Sequence, residues 1–228
     1  VSIKATVITR LEQELNGTNA LLDVNYLDHL YGLLDYYLAF TKRNYWTETK
    51  RVDCLVAICL VQLSLHIHSQ LTNVATMEDA AYLLEADLFS SRYYAILVKE
   101  NEFNLLNKIS LAIKQQNASQ IRLNLLDIKA NKALFILAWF NQQTWLAITL
   151  INTFQPFERQ RSMIEALWVQ QLTNERLKLT ADQKEKYSLS QACKPIAMNV
   201  AFLIREIDHL LLTSKLSFDN LWHAVHNL

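Results

Sequence analysis

A helix that grips a divalent cation does so with carboxylates four residues apart, because that spacing puts them on one face. Among the 22 acidic residues no two are separated by four positions, and the one pair three apart, Asp182 and Glu185, lies in a polar segment. Other close pairs include Glu78-Asp79, Glu85 with Asp87, Glu100 with Glu102, and Glu206 with Asp208. Adjacent or alternate helical residues diverge by about 100° or 200°. These pairs therefore read as helix-start acids or solvated faces, not as a metal clamp.

His66 and His68 fall on nearly opposite faces of a helix, so one ion cannot meet both. His223 and His226 are better spaced, three apart, but no Cys or carboxylate stands at a supporting position. Lys42, Arg43, Lys50 and Arg51, with Tyr45 and Trp46, could pair with phosphate oxygens, although an exposed loop between helices accounts for them as well. Gly17 and Gly32 stand alone, so no Gly-rich phosphate loop can form. No nucleophile motif is present either.

The elements that must carry these residues are helices. Two Gly and two Pro in 228 residues are too few for a sheet protein with many tight turns, and 51% hydrophobic content is enough for a sizeable core. We expect an all-α chain of about nine to eleven helices in a single domain over 1–228. Equal numbers of basic and acidic residues, 22 of each, give no net field toward nucleic acid. Cys54, Cys59 and Cys193 are an odd, sparse set in apolar segments, which suits reduced core thiols and a cytoplasmic location.

Apolar periodicity predicts helices over 3–15, 23–40, 50–73, 77–100 and 103–116, a shorter piece over 119–127, then 129–153, 157–173 and 195–212. Residues 54–65 are apolar on nearly every face, as a helix enclosed by others must be. Pro156 and Pro195 fit the first turn of the helices that follow them. Residues 180–186, the most charged stretch, should begin an exposed loop. The apolar run 54–67 is too short, and the run 133–151 too interrupted by Asn141, Gln142, Gln143 and Thr144, for a membrane span of roughly 20 residues. No signal-peptide pattern opens the sequence, and the missing initiator Met reads as a trimmed or incomplete N-terminus.

Three stretches carry a resemblance. Residues 60–72 (LVQLSLHIHSQLT), the stretch 83–97 beginning LLEADLFSSRYY, and residues 109–123 resemble, in order and with sensible spacing, component I of bacterial heptaprenyl or hexaprenyl diphosphate synthase. This is the small subunit of a two-subunit enzyme of menaquinone side-chain synthesis. The resemblance implies an isoprenoid-synthase-like helical bundle that has lost both aspartate-rich motifs. In this sequence His68, Ser69, Gln70 and Asn73 stand at the positions of the first motif, and none replaces a carboxylate toward Mg²⁺. Ala86-Asp87-Leu88 resembles the Gly-Asp-aromatic step of the next helix, with the Gly lost.

The resemblance further implies a noncatalytic chain that binds no cofactor itself and pairs with a catalytic component II carrying Mg²⁺ and the prenyl diphosphate. Alone, such a chain could form a homodimer. By the same analogy Leu84, Leu88, Ser91, Tyr94, Ile109, Ala112, Ile113 and Gln116 would meet the partner, with neither nucleic acid nor a transmembrane segment involved. A divergent terpenoid synthase or prenyltransferase, and an unrelated helical adaptor, are the alternatives.

Overall fold

A segment apolar on every side needs neighbours on every side, and the helix Glu48–Gln70 is so enclosed: residues 54–65 are buried without a break. The computed structural model describes residues 2–16, 24–41, 45–70, 76–125 and 132–181. Their regular elements are seven helices: α1 (Ile3–Leu15), α2 (Val24–Thr41), α3 (Glu48–Gln70), α4 (Met77–Lys99), α5 (Phe103–Leu125), α6 (Lys132–Phe154) and α7 (Phe157–Ala181). The described residues contain no strand, so the chain is all-α as its composition implies. The chain divides into two compact units, Val1–Ile113 and Lys114–Leu228.

In the first unit α3 packs most extensively against α4, and also against α1 and α2. Val7 and Leu11, one turn apart, are the buried edge of α1, while Leu30, Leu33, Leu34 and Tyr37 are the buried face of α2. Arg51, at the start of α3, donates to the Leu38 carbonyl (2.6 Å) and to the Thr41 hydroxyl (3.2 Å). It thereby satisfies an end of α2 that has no further helical turn to bond.

Both ends of α4 are fixed by local chemistry. Thr76 and Asp79 form a reciprocal capping box, with the Asp79 amide donating to Thr76 Oγ1 (3.0 Å) and the Thr76 amide to Asp79 Oδ2 (2.9 Å). At the other end the Glu102 amide donates to the Leu97 carbonyl and the Asn101 amide to the Val98 carbonyl, a Schellman pattern. Asn101 has φ 57°, the left-handed conformation that Asn tolerates better than most side chains.

Two expected boundaries differ. The predicted helices over 103–116 and 119–127 are one helix, α5, because nothing between them breaks it: Asn117 is exposed, and Ser119 accepts a hydrogen bond from the Trp145 indole (3.0 Å). Helix α7 also runs past the expected stop at 173 to Ala181, through Glu175, Arg176, Leu177 and Lys178, all favourable helix residues. The expected helix over 195–212 and the histidines 223 and 226 lie outside the described residues.

The second unit holds the later part of α5 with α6 and α7. The Phe140 and Trp168 rings meet edge to face at 4.8 Å, joining α6 to α7. The Gln160 amide donates to the carbonyls of Gln155 (3.0 Å) and Asn152 (3.4 Å), closing the end of α6 after which Pro156 leads into α7. Gln116, Ser119, Asn141, Gln142, Thr144 and Gln171 are all buried here among apolar side chains. Among the described residues of this unit, Gln116 Oε1, Gln120 Oε1, Asn141 Oδ1, Trp168 Nε1 and Gln171 Nε2 are buried without a side-chain or backbone hydrogen bond.

By length and composition the stretch Glu48–Ser69 of α3 could cross a membrane, a longer stretch than the apolar run visible in the sequence. In the structure it is mostly buried by other helices, as the core helix of a water-borne protein also is.

Cys54 and Cys59 are free thiols inside this helix, and burial pushes each up to about 12 from 9.0. A thiol that keeps its proton folded and loses it unfolded favours the folded state below pH 9, and that contribution fades as pH rises toward 12. We expect the urea midpoint to be lower at pH 10.5 than at pH 8, and both cysteines to resist iodoacetamide at pH 8 until denaturant is added. Labelling of either in the native protein, read by peptide mass spectrometry, would contradict their enclosure.

Candidate functional site

The C-terminal end of α3 and the adjoining face of α4 are where the resemblance would put the first aspartate-rich motif. His68 is exposed on the last turn of α3, and its Nε2 lies 3.4 Å from Asp87 Oδ1 on α4, an ion pair when the imidazole is protonated. The Ser69 hydroxyl donates to the His66 carbonyl (2.7 Å). Gln70 ends the helix, and its side chain, like Asn73, lies outside the described residues. These groups do not suit Mg²⁺: a hydroxyl engaged by its own helix, an imidazole and one exposed carboxylate are not the facing oxygen ligands such an ion takes. Among the described residues no three His, Cys, Asp or Glu side chains are grouped to hold a metal.

Two members of the basic cluster, Lys50 and Arg51, are committed within the chain. Lys50 Nζ and the Trp46 indole both reach Glu102 Oε1, at 2.6 and 2.9 Å, which fixes the corner between α4 and α5 to the start of α3. The hydrogen bond to Glu102, chiefly, pushes the Lys50 pKa up. Arg51 serves α2 as described above, Tyr45 is exposed, and Lys42 and Arg43 lie outside the described residues.

Helix α4 is apolar on two sides. Its inward stripe, Ala86, Phe89, Tyr93 and Leu97, is buried, and between these the Ser90 hydroxyl meets Ser64 of α3 at 2.8 Å. On the opposite side Leu84, Leu88, Tyr94 and Val98 are 69%, 39%, 53% and 38% exposed, and Ser91 is exposed between them. Positions 84, 88, 91 and 98 recur at four-, three- and seven-residue intervals, one continuous face of a helix. A surface helix ordinarily turns polar residues outward; a row of large apolar ones marks a face that meets something else.

Of the residues expected at a partner contact, Leu84, Leu88, Ser91 and Tyr94 therefore share this outward face. The α5 residues are placed otherwise. Ile109, Ala112 and Gln116 are buried and Ile113 is half-buried, because together with Leu105, Ser119 and Leu123 they form the inward face of α5. The chain itself covers them, which removes Ile109, Ala112 and Gln116 from any surface another chain could meet. The large apolar side chains that α5 does expose are Phe103, Leu111, Ile121 and Leu125. Val98 was not among the expected contacts, although its seven-residue spacing from Ser91 was a usable signal.

Fold and site together define an all-helical protein with an outward apolar helix face and no grouped metal ligands among the described residues. Comparison with protein-family models, with curated proteins and with solved structures gave no match.

Proposed function

We propose that the chain is the noncatalytic small subunit of a heterodimeric long-chain trans-polyprenyl diphosphate synthase of the heptaprenyl type, acting in menaquinone side-chain synthesis in the cytoplasm. It stabilises a catalytic component II and helps set product length by shaping the tunnel that receives the growing chain. Mg²⁺ and the prenyl diphosphate belong to that partner. The isoprenoid-synthase-like arrangement of the helices is part of the same proposal and rests on the sequence resemblance.

The observation that supports this reading best is the double-sided character of α4: a fold carrying large apolar residues outward beside a helix end without paired carboxylates is suited to association, not to turnover. Catalysis by this chain alone would need at least two convergent carboxylates. At the end of α3, where the resemblance puts the first aspartate-rich motif, the described carboxylate is Asp87, exposed and facing His68.

The test is reconstitution. The purified chain with Mg²⁺ and allylic plus homoallylic diphosphates should give no prenyl transfer, and adding a catalytic subunit with both aspartate-rich motifs should give long-chain product. Turnover by the lone chain would favour the divergent prenyltransferase instead. Failure to associate with any such subunit would favour an unrelated adaptor using the same α4 face.

A further inference from the structure

The outward side of α4 has a period as well as a polarity. Ala81, Leu84, Leu88, Ser91, Ala95 and Val98 are all exposed, and they follow one another at alternating steps of three and four residues. A mean spacing of about 3.5 is that of a seam along which two helices pack side by side over several turns. The residues opposite this seam, Ala86, Phe89, Tyr93 and Leu97, are buried within the chain. What fits the seam is another helix running along α4.

The order of large and small residues says which helix. Set against a copy of itself running the other way, the seam joins a large residue to a small one in every layer: Ala81 to Val98, Leu84 to Ala95, Leu88 to Ser91. Set parallel, each residue would meet its own copy, and the layers of Ala81, Ser91 and Ala95 would leave gaps that a packed interface does not keep. The charges fit the antiparallel register too. Along one flank Glu78, Glu85, Arg92 and Lys99 recur every seven residues, acids first and bases last. Position 78 then comes opposite 99 and position 85 opposite 92, acid to base each time. On the other flank the exposed Asp87 comes opposite the exposed Tyr94, whose hydroxyl is a donor for it. Within its own chain Arg92 Nε is 3.8 Å from Glu14 and Lys99 Nζ 3.9 Å from Asp53, both longer than a hydrogen bond.

We propose that the outward strip of α4 is a self-association surface, on which a second copy of this chain lays its own α4 antiparallel, with Leu88 against Ser91 nearest the two-fold axis. The inference rests on the residues of α4 and not on the subunit role, and a companion that uses the same strip displaces the second copy. From Ala81 to Val98 the helix runs about 25 Å. One helix pair of that length covers less than the roughly 1,200 Å² of a stable interface. The dimer therefore belongs to concentrated solution, and the strip is open when the chain is dilute.

The test uses the full chain alone. Sedimentation equilibrium from about 10 to about 500 μM should show monomer passing into dimer and nothing larger. For the geometry, Ala81→Cys and Val98→Cys are made separately in a Cys193→Ser background, where Cys54 and Cys59 are buried. Mixed at high concentration and oxidised, the two variants should join to each other about tenfold faster than either joins to itself, because like positions lie about 25 Å apart in the antiparallel pair. Faster self-linking of Ala81→Cys would mean a parallel pair, and a dimer that forms neither link would place the contact elsewhere; either result overturns the proposal. So does a monomer at every concentration, and slow iodoacetamide labelling of Val98→Cys in that monomer would give the strip to a segment of the same chain.

Discussion

Leu88→Glu is expected to weaken association with a catalytic polyprenyl synthase subunit by about 100-fold or more while leaving the Tm of the lone chain within a few degrees. Leu88 lies near the middle of the outward stripe of α4, flanked by Leu84, Ser91 and Tyr94, so a carboxylate there would be buried without a partner on association. An unpaired buried charge costs about 3–5 kcal/mol, and each 1.4 kcal/mol is about tenfold in affinity. Asp87, exposed beside it, adds like charge. In the unassociated chain the new carboxylate meets water, and exposed substitutions shift stability by about 0.5 kcal/mol or less. Titration calorimetry against the partner, with a thermal melt of the free chain, separates the two effects. Undiminished affinity would remove α4 from the interface.

The neighbouring residue should behave in the opposite way. Phe89 is fully buried, so Phe89→Ala removes a ring from the inward face of α4 and leaves a cavity. Substitutions of this kind cost about 3–5 kcal/mol, which corresponds to a fall of about 2 M in the urea midpoint for a typical urea dependence. Any partner that still meets a folded Phe89→Ala chain should bind it nearly as well as before. A Phe89→Ala protein as stable as the parent would mean that α4 does not pack in this orientation.

The pair shows what the sequence could and could not convey. The helices were readable because their local signals agree: residues 3–15 end where the periodicity ends, and Thr76 with Asp79 starts α4 at Met77. The two faces of α4 could not be told apart by apolarity, since both carry Leu and aromatic residues. On α5 the polar run from Gln115 to Ser119 resembled a break between two helices. Its explanation, the Trp145 indole on Ser119, lies 26 residues away. The same distance problem hid the fates of Lys50 and Arg51, whose partners are Glu102, 52 positions later, and the Leu38 carbonyl, 13 earlier. Burial of Ile109 and Ala112 was closer to being readable: with Leu105 and Gln116 they recur every three or four residues, the mark of a packed side.

The two-sidedness of α4 also bears on the life of the chain in a cell. A copy synthesised without its companion would keep greasy side chains in contact with water, the feature by which chaperones and proteases sort orphan subunits. Under the proposed subunit role its abundance should therefore follow that of the partner covering the helix, and balanced synthesis of the two polypeptides would be a requirement set by a single strip of leucine, tyrosine and valine.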